Sequence, residues 1–105
     1  MTSTPTPPHP RTAPSRDALL AVHDFPGEFI IKVFGPGPEQ SDFNTRAAAL
    51  AREVIRDEAR ITTRERVTPS GAKVCVTLEM HVLTVEEVEQ VYARLYTLRD
   101  LLMIL

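Results

Sequence analysis

One cysteine, Cys75, is the only thiol in the 105-residue chain. An internal disulfide is therefore excluded, and a lone thiol suits a reducing compartment. No apolar run approaches the ~18 residues that a membrane span requires. The N-terminus also lacks the basic-then-apolar order of a signal peptide. The expected location is cytoplasmic, with no membrane partner. A net positive charge is lacking as well. The formal net charge is −2, which argues against a nucleic-acid binder that works through bulk charge. Histidines number three, at His9, His23 and His81, and asparagine occurs once, at Asn44. Metal centres need several ligands together, and nucleophilic sites need a base beside the nucleophile. Neither grouping is visible, so no catalytic residue, no metal and no cofactor is expected.

Residues 1–16 hold five of the nine prolines and almost nothing apolar. Such a segment has too little to bury to offset the entropy of ordering it. The expected organisation is a disordered Pro-rich tail over 1–16 and one domain over 17–105, too small for a second core.

Within that domain, Ala18, Leu19, Leu20 and Val22 form a short apolar patch, expected as a single turn on the domain edge or as a cover over exposed surface. It ends at Phe25-Pro26-Gly27. Residues 28–34 read as a strand, rich in aromatic and β-branched side chains and stopped by Gly35-Pro36-Gly37-Pro38. Phe29, Ile31 and Val33 share one face; Ile30, Lys32 and Phe34 share the other. Phe43, Ala47, Leu50 and Val54 then form one helical stripe, broadened by Ala51 and Ile55, which predicts a helix over 42–58 capped by Ser41 or Asp42. Residues 60–68 make a charged strand suited to a sheet edge, and Pro69-Ser70-Gly71 a turn. Residues 73–82 alternate strictly: Val74, Val76, Leu78, Met80 and Val82 against Cys75, Thr77, Glu79 and His81. Thr84-Val85-Glu86-Glu87 is a capping box, with Glu87 expected to reach back to Thr84. The helix that follows is predicted to end near Thr97. Residues 101–105, Leu-Leu-Met-Ile-Leu, close the chain as a strand apolar on both faces.

A β-α-β-β-α-β order with one apolar sheet face predicts an α+β protein of ferredoxin-like arrangement. Its four-stranded antiparallel sheet carries two helices on one face, with the last strand beside the first.

The loop at 35–38 lies where phosphate-binding loops occur. Two of its four residues are prolines without an N–H, and no Lys-Ser/Thr follows, so a stiff turn is the better reading. RNA-recognition domains stack bases on the open sheet face. Here only Phe34 could stack, Glu79 repels phosphate, and the Arg/Lys-Gly-aromatic pattern is missing, so no nucleic-acid partner is expected. Cys75 and His81 share a face but lie about 20 Å apart along a strand. What remains is surplus apolar surface: Ile30 and Phe34 on the open face beside an apolar edge strand, with Lys32 a charge inside a central strand.

Phe25-Pro26-x-x-Phe29-x-x-Lys32-Val33-x-Gly35 resembles the opening signature of the YbeD-like family of small bacterial proteins. Val67-Thr68-Pro69-Ser70-Gly71 with Val74-Cys75-Val76-Thr77 is similar to that family's hairpin and third strand. Leu102-Met103-Ile104-Leu105 resembles its terminal strand. The resemblance implies a ferredoxin-like fold similar in shape to ACT regulatory domains, and no established reaction. The expectation drawn is a non-enzymatic regulatory or adaptor domain. It would contact an unidentified protein partner, or a second copy as a homodimer, through Ile30, Lys32, Phe34 and Met103. One alternative is an ACT-like sensor taking a small metabolite where the 35–41 loop meets the helix start. Another is a hydrolase of acylphosphatase type using Arg46.

Overall fold

The computed structural model describes residues 13–105, so most of the expected tail lies outside the described residues. Ser15 and Arg16, assigned to that tail, form the start of a helix. Ser15 Oγ accepts from the Ala18 N–H at 3.1 Å and caps helix α1, Arg16–Val22. The short apolar patch is thus a complete helix, and the domain carries three helices rather than two. α1 packs against the later helix α3, Val85–Leu95. Its Leu19 enters the core, and Arg16 reaches Glu89 at 2.5 Å and Glu86 at 3.2 Å.

Strand β1, Gly27–Pro36, alternates between buried and exposed positions along its length, with Phe29, Ile31 and Val33 inward. It runs two residues past the expected stop at Phe34. Gly35 continues it because the Phe43 ring lies directly over that position, where any Cβ would collide with ring carbons.

Helix α2, Phe43–Val54, buries Phe43, Ala47, Ala48 and Ala51. Its small alanines let the helix lie close on the sheet, so Leu50 and Val54, expected as core, sit half-buried at the margin. The helix stops four residues short of the predicted Glu58. At Ile55 the chain takes an extended turn that sends this side chain into the core, and Asp57 caps a separate 3-10 turn, Glu58–Arg60. Strands β2, Ile61–Val67, and β3, Lys73–Val82, form the expected hairpin.

At the start of α3, Thr84 Oγ1 accepts from the Glu87 N–H at 3.3 Å. The Glu87 carboxylate passes over Thr84 and takes the Leu83 N–H at 2.7 Å. It also receives the Arg60 guanidinium at 2.8 Å, which ties the end of the 3-10 turn to α3. α3 ends at Leu95, where the Leu98 N–H turns back to the Leu95 carbonyl. That turn shortens the final strand, expected over 101–105, to β4, Met103–Ile104.

The sheet is antiparallel in the order β2-β3-β1-β4. The β-α-β-β-α-β order is therefore present behind the added α1, with β2 and β4 at the edges. α2 and α3 cover one face, where Phe43, Ile31, Ile55, Leu78, Met80 and Leu95 are fully enclosed. No helix among the described residues is long and apolar enough to cross a membrane.

Candidate functional site

The opposite face of the sheet is covered by no helix among the described residues. The cover expected of the Leu19-Leu20 segment is absent, because α1 lies on α3 instead. Antiparallel register sets the open-face side chains in rows across the strands. Arg66, Cys75, Phe34 and Met103 form the first row, Arg64, Thr77 and Lys32 the second, and Thr62, Glu79 and Ile30 the third, with His81 beside Glu28 in the fourth. All four residues expected at a contact surface are therefore on one face. Phe34 and Met103 are half-buried register partners, Lys32 is exposed, and Ile30 stands 54% exposed.

Two concavities occupy this face, one at each end. The first, about 620 Å³, has a floor of Phe34, Cys75, Leu102 and Met103 and a wall formed by the β2–β3 turn, including Pro69, with Arg66 and Lys73 at the rim. The second, about 420 Å³, includes Glu28, Ile30, Arg60, Glu79 and His81. The electrostatics of the two ends differ. At the second, Glu28 holds His81 at 2.7 Å, Glu79 holds Arg64 at 2.8 Å, and Glu87 holds Arg60. At the first, Arg66 and Lys73, with Lys32 in the next row, have no carboxylate partner among the described residues. Cys75 lines the first concavity and His81 the second, so the two do not meet. No histidine or carboxylate lines the space around the thiol. No group of three or more His, Cys, Asp or Glu that could hold a metal occurs among the described residues.

The loop before α2, considered above for a phosphate or small metabolite, has committed four of its amides. The Gly37 N–H donates to Ala72 O at 3.0 Å, those of Gln40 and Ser41 to Gly37 O, and that of Phe43 to Ser41 Oγ. Arg46 is likewise engaged. Its guanidinium donates to Asp42 Oδ1 and to Asp100 Oδ2, both at 2.6 Å, and Asp100 also accepts from the Ser41 hydroxyl at 2.8 Å. The cluster fastens the start of α2 to the turn before β4, and so positions the strand that carries Met103.

The hydrogen bonds from Arg46, and secondarily from Ser41, hold the Asp100 carboxyl below the usual carboxylate range. A lowered folded-state pKa means that this stabilisation is present above the unfolded value, about 3.9. It is lost as pH falls through the folded value. Asp100→Asn should therefore lose less stability than the unsubstituted protein between pH 5 and lower values, in melts at fixed ionic strength. Equal acid slopes for the two proteins would show that the carboxylate is not held this way.

Arg66 and Lys73 were not among the expected surface residues. The signal for them lay in the turn at 69–71. Pairing Val67 with Val74 across it sets Arg66 beside Cys75, and hence on the face of Phe34.

A family model described as Protein of unknown function (DUF493) matches residues 21–105. Neither the curated proteins nor the solved structures provide a match to the chain. The family match takes in all four strands together with α2 and α3, and begins inside α1. By that match the chain belongs to the DUF493 family of proteins of unknown function, the family of the YbeD-like proteins.

Proposed function

We propose that this chain is a regulatory or adaptor domain without chemistry of its own, which works by docking its open sheet face on a partner protein. One observation carries the reading. A four-stranded sheet whose second face would ordinarily be solvated and polar carries there an exposed Ile30 beside half-buried Phe34 and Met103, and no described helix covers them. The β2-β3-β1-β4 order, with α2 and α3 as crossovers on one side, supports a ferredoxin-like arrangement, similar in shape to ACT regulatory domains. The engaged loop amides and the doubly paired Arg46 favour contact over catalysis as the role of the surface. Fold alone does not carry function; the reading rests on this face.

Phe34→Asp tests it. The substitution lies outside the core and is expected to cost about 1–2 kcal/mol of stability while leaving the fold intact. With a photo-crosslinker at Ile30, the Phe34 protein should form a defined cross-linked complex in native cytosol that the Phe34→Asp protein does not form. A monomer in sedimentation, with no complex, and an unchanged cellular phenotype for Phe34→Asp would remove the support for the reading.

A further inference from the structure

We propose that the partner presents to the first concavity an extended peptide segment in which carboxylates stand beside large apolar side chains, and that Arg66 and Lys73 read those carboxylates. This rests on the open face being the contact surface and names the chemistry of what it contacts.

The floor is apolar: Phe34, Met103, Leu102 and the Cys75 thiol, within about 620 Å³ open to solvent. Its rim is cationic and uncompensated. Arg16, Arg46, Arg52, Arg60, Arg64 and Arg94 are each held by a carboxylate. Arg66 and Lys73 are not: Arg66 is the β2 partner of Cys75, and Lys73 stands two residues before Cys75 on the same face of β3, with Lys32 one row from Phe34. Arg56 and Arg99 also lack a carboxylate partner among the described residues, but they do not line this concavity. Like charges gathered beside low-dielectric surface raise the local concentration of anions and strengthen a pair once water is excluded.

The dimensions favour a chain segment over a small ion. From Met103 on β4 to Arg66 on β2 the row crosses three strand spacings, about 14 Å, which about four extended residues span. Such a segment, lying across the strands, would set apolar side chains on Phe34 and Met103 and reach Arg66 and Lys73 with its carboxylates. A second copy of the chain fits less well, since the open-face carboxylates it could offer, Glu28 and Glu79, already hold His81 and Arg64. Nucleic acid fits less well again, because those same two glutamates face it.

Selection from a random peptide display library on the full chain, alongside the Arg66→Gln/Lys73→Gln protein, tests this. Both substitutions are at exposed positions and leave the core untouched. The expected consensus carries Asp or Glu within two or three residues of a leucine or an aromatic. Synthesised peptides of that consensus should shift the amide resonances of Phe34, Cys75 and Met103 and bind more weakly as salt rises. They should bind the doubly substituted protein about tenfold less tightly. A basic or uncharged consensus, or equal binding to both proteins, overturns the inference while leaving the open face as the contact surface. Peptides whose resonance shifts fall on α2 or α3 overturn both.

Discussion

Phe43→Ala is expected to cost about 4 kcal/mol and to lower the melting temperature by about 20 °C. Phe43 is the first residue of α2 and is wholly enclosed, among the largest side chains of the core. Its ring closes the end of the sandwich over Gly35, so its removal leaves a cavity that neither the sheet nor the alanine-lined helix can refill. The contact with Gly35 makes the prediction specific. A methyl at Gly35 would collide with the ring, so Gly35→Ala alone should be destabilising. In the Phe43→Ala background that methyl enters vacated space, and its cost should fall by well over the ~0.5 kcal/mol within which independent sites add. Urea unfolding of the two single variants and the double variant measures the coupling. Additive costs would mean that Gly35 is present for some reason other than the ring.

Gly37→Ala is expected to cost about 3 kcal/mol, at the upper end for overpacking. Here the obstacle is backbone. A Cβ on Gly37 would fall on the carbonyl oxygen of Gly71 in the β2–β3 turn, where no side-chain rotation can relieve it. The chain would have to separate there, which breaks the 3.0 Å bond from the Gly37 N–H to Ala72 O. Gly71 itself has φ +78°, which a β-carbon disfavours, so the turn has little freedom to adapt. Hydrogen exchange at position 37 should speed up beyond what global destabilisation explains. Pro38→Ala, one residue on and exposed, should stay within about 0.5 kcal/mol. Because Thr68 and Pro69 wall the first concavity, Gly37→Ala should also blur the surface proposed to bind a peptide. A stability change no larger than that of Pro38→Ala would sink the close-approach account.

These two glycines mark the limit of what the chain reveals unfolded. Local chemistry was sufficient where one residue type has one use. The alternation over β3 places Val74, Val76, Leu78, Met80 and Val82 inward and Cys75, Thr77, Glu79 and His81 outward, as the strand shows. Thr84 caps α3, and Ile30, Lys32, Phe34 and Met103 fall together on the open face. Each follows from a period of two, a period of 3.6 or a cap, and none depends on distant residues.

Elsewhere the deciding partner is far away in sequence. Gly35-Pro36-Gly37-Pro38 looks like a stop signal in isolation, yet Gly35 is a strand residue under Phe43, and Gly37 is the seat of a turn more than thirty residues on. Glu87 completes a local cap and also anchors Arg60, whose place beside it no helical pattern encodes. The N-terminal patch contains too few apolar residues to show a helix. It becomes one through the Ser15 cap, the burial of Leu19 and the pairing of Arg16 with α3. That docking decides the most consequential point, since it takes the one described candidate cover away from the open face.

The amino-acid order by itself determined the number and sequence of strands, the two crossover helices, the buried face and the apolar residues left on the other. Tertiary structure alone decided which cations lack partners and where they gather. Pairing of charges depends on which strands and helices become neighbours, and Arg66 and Lys73 meet Phe34 only when β2, β3 and β1 are laid side by side.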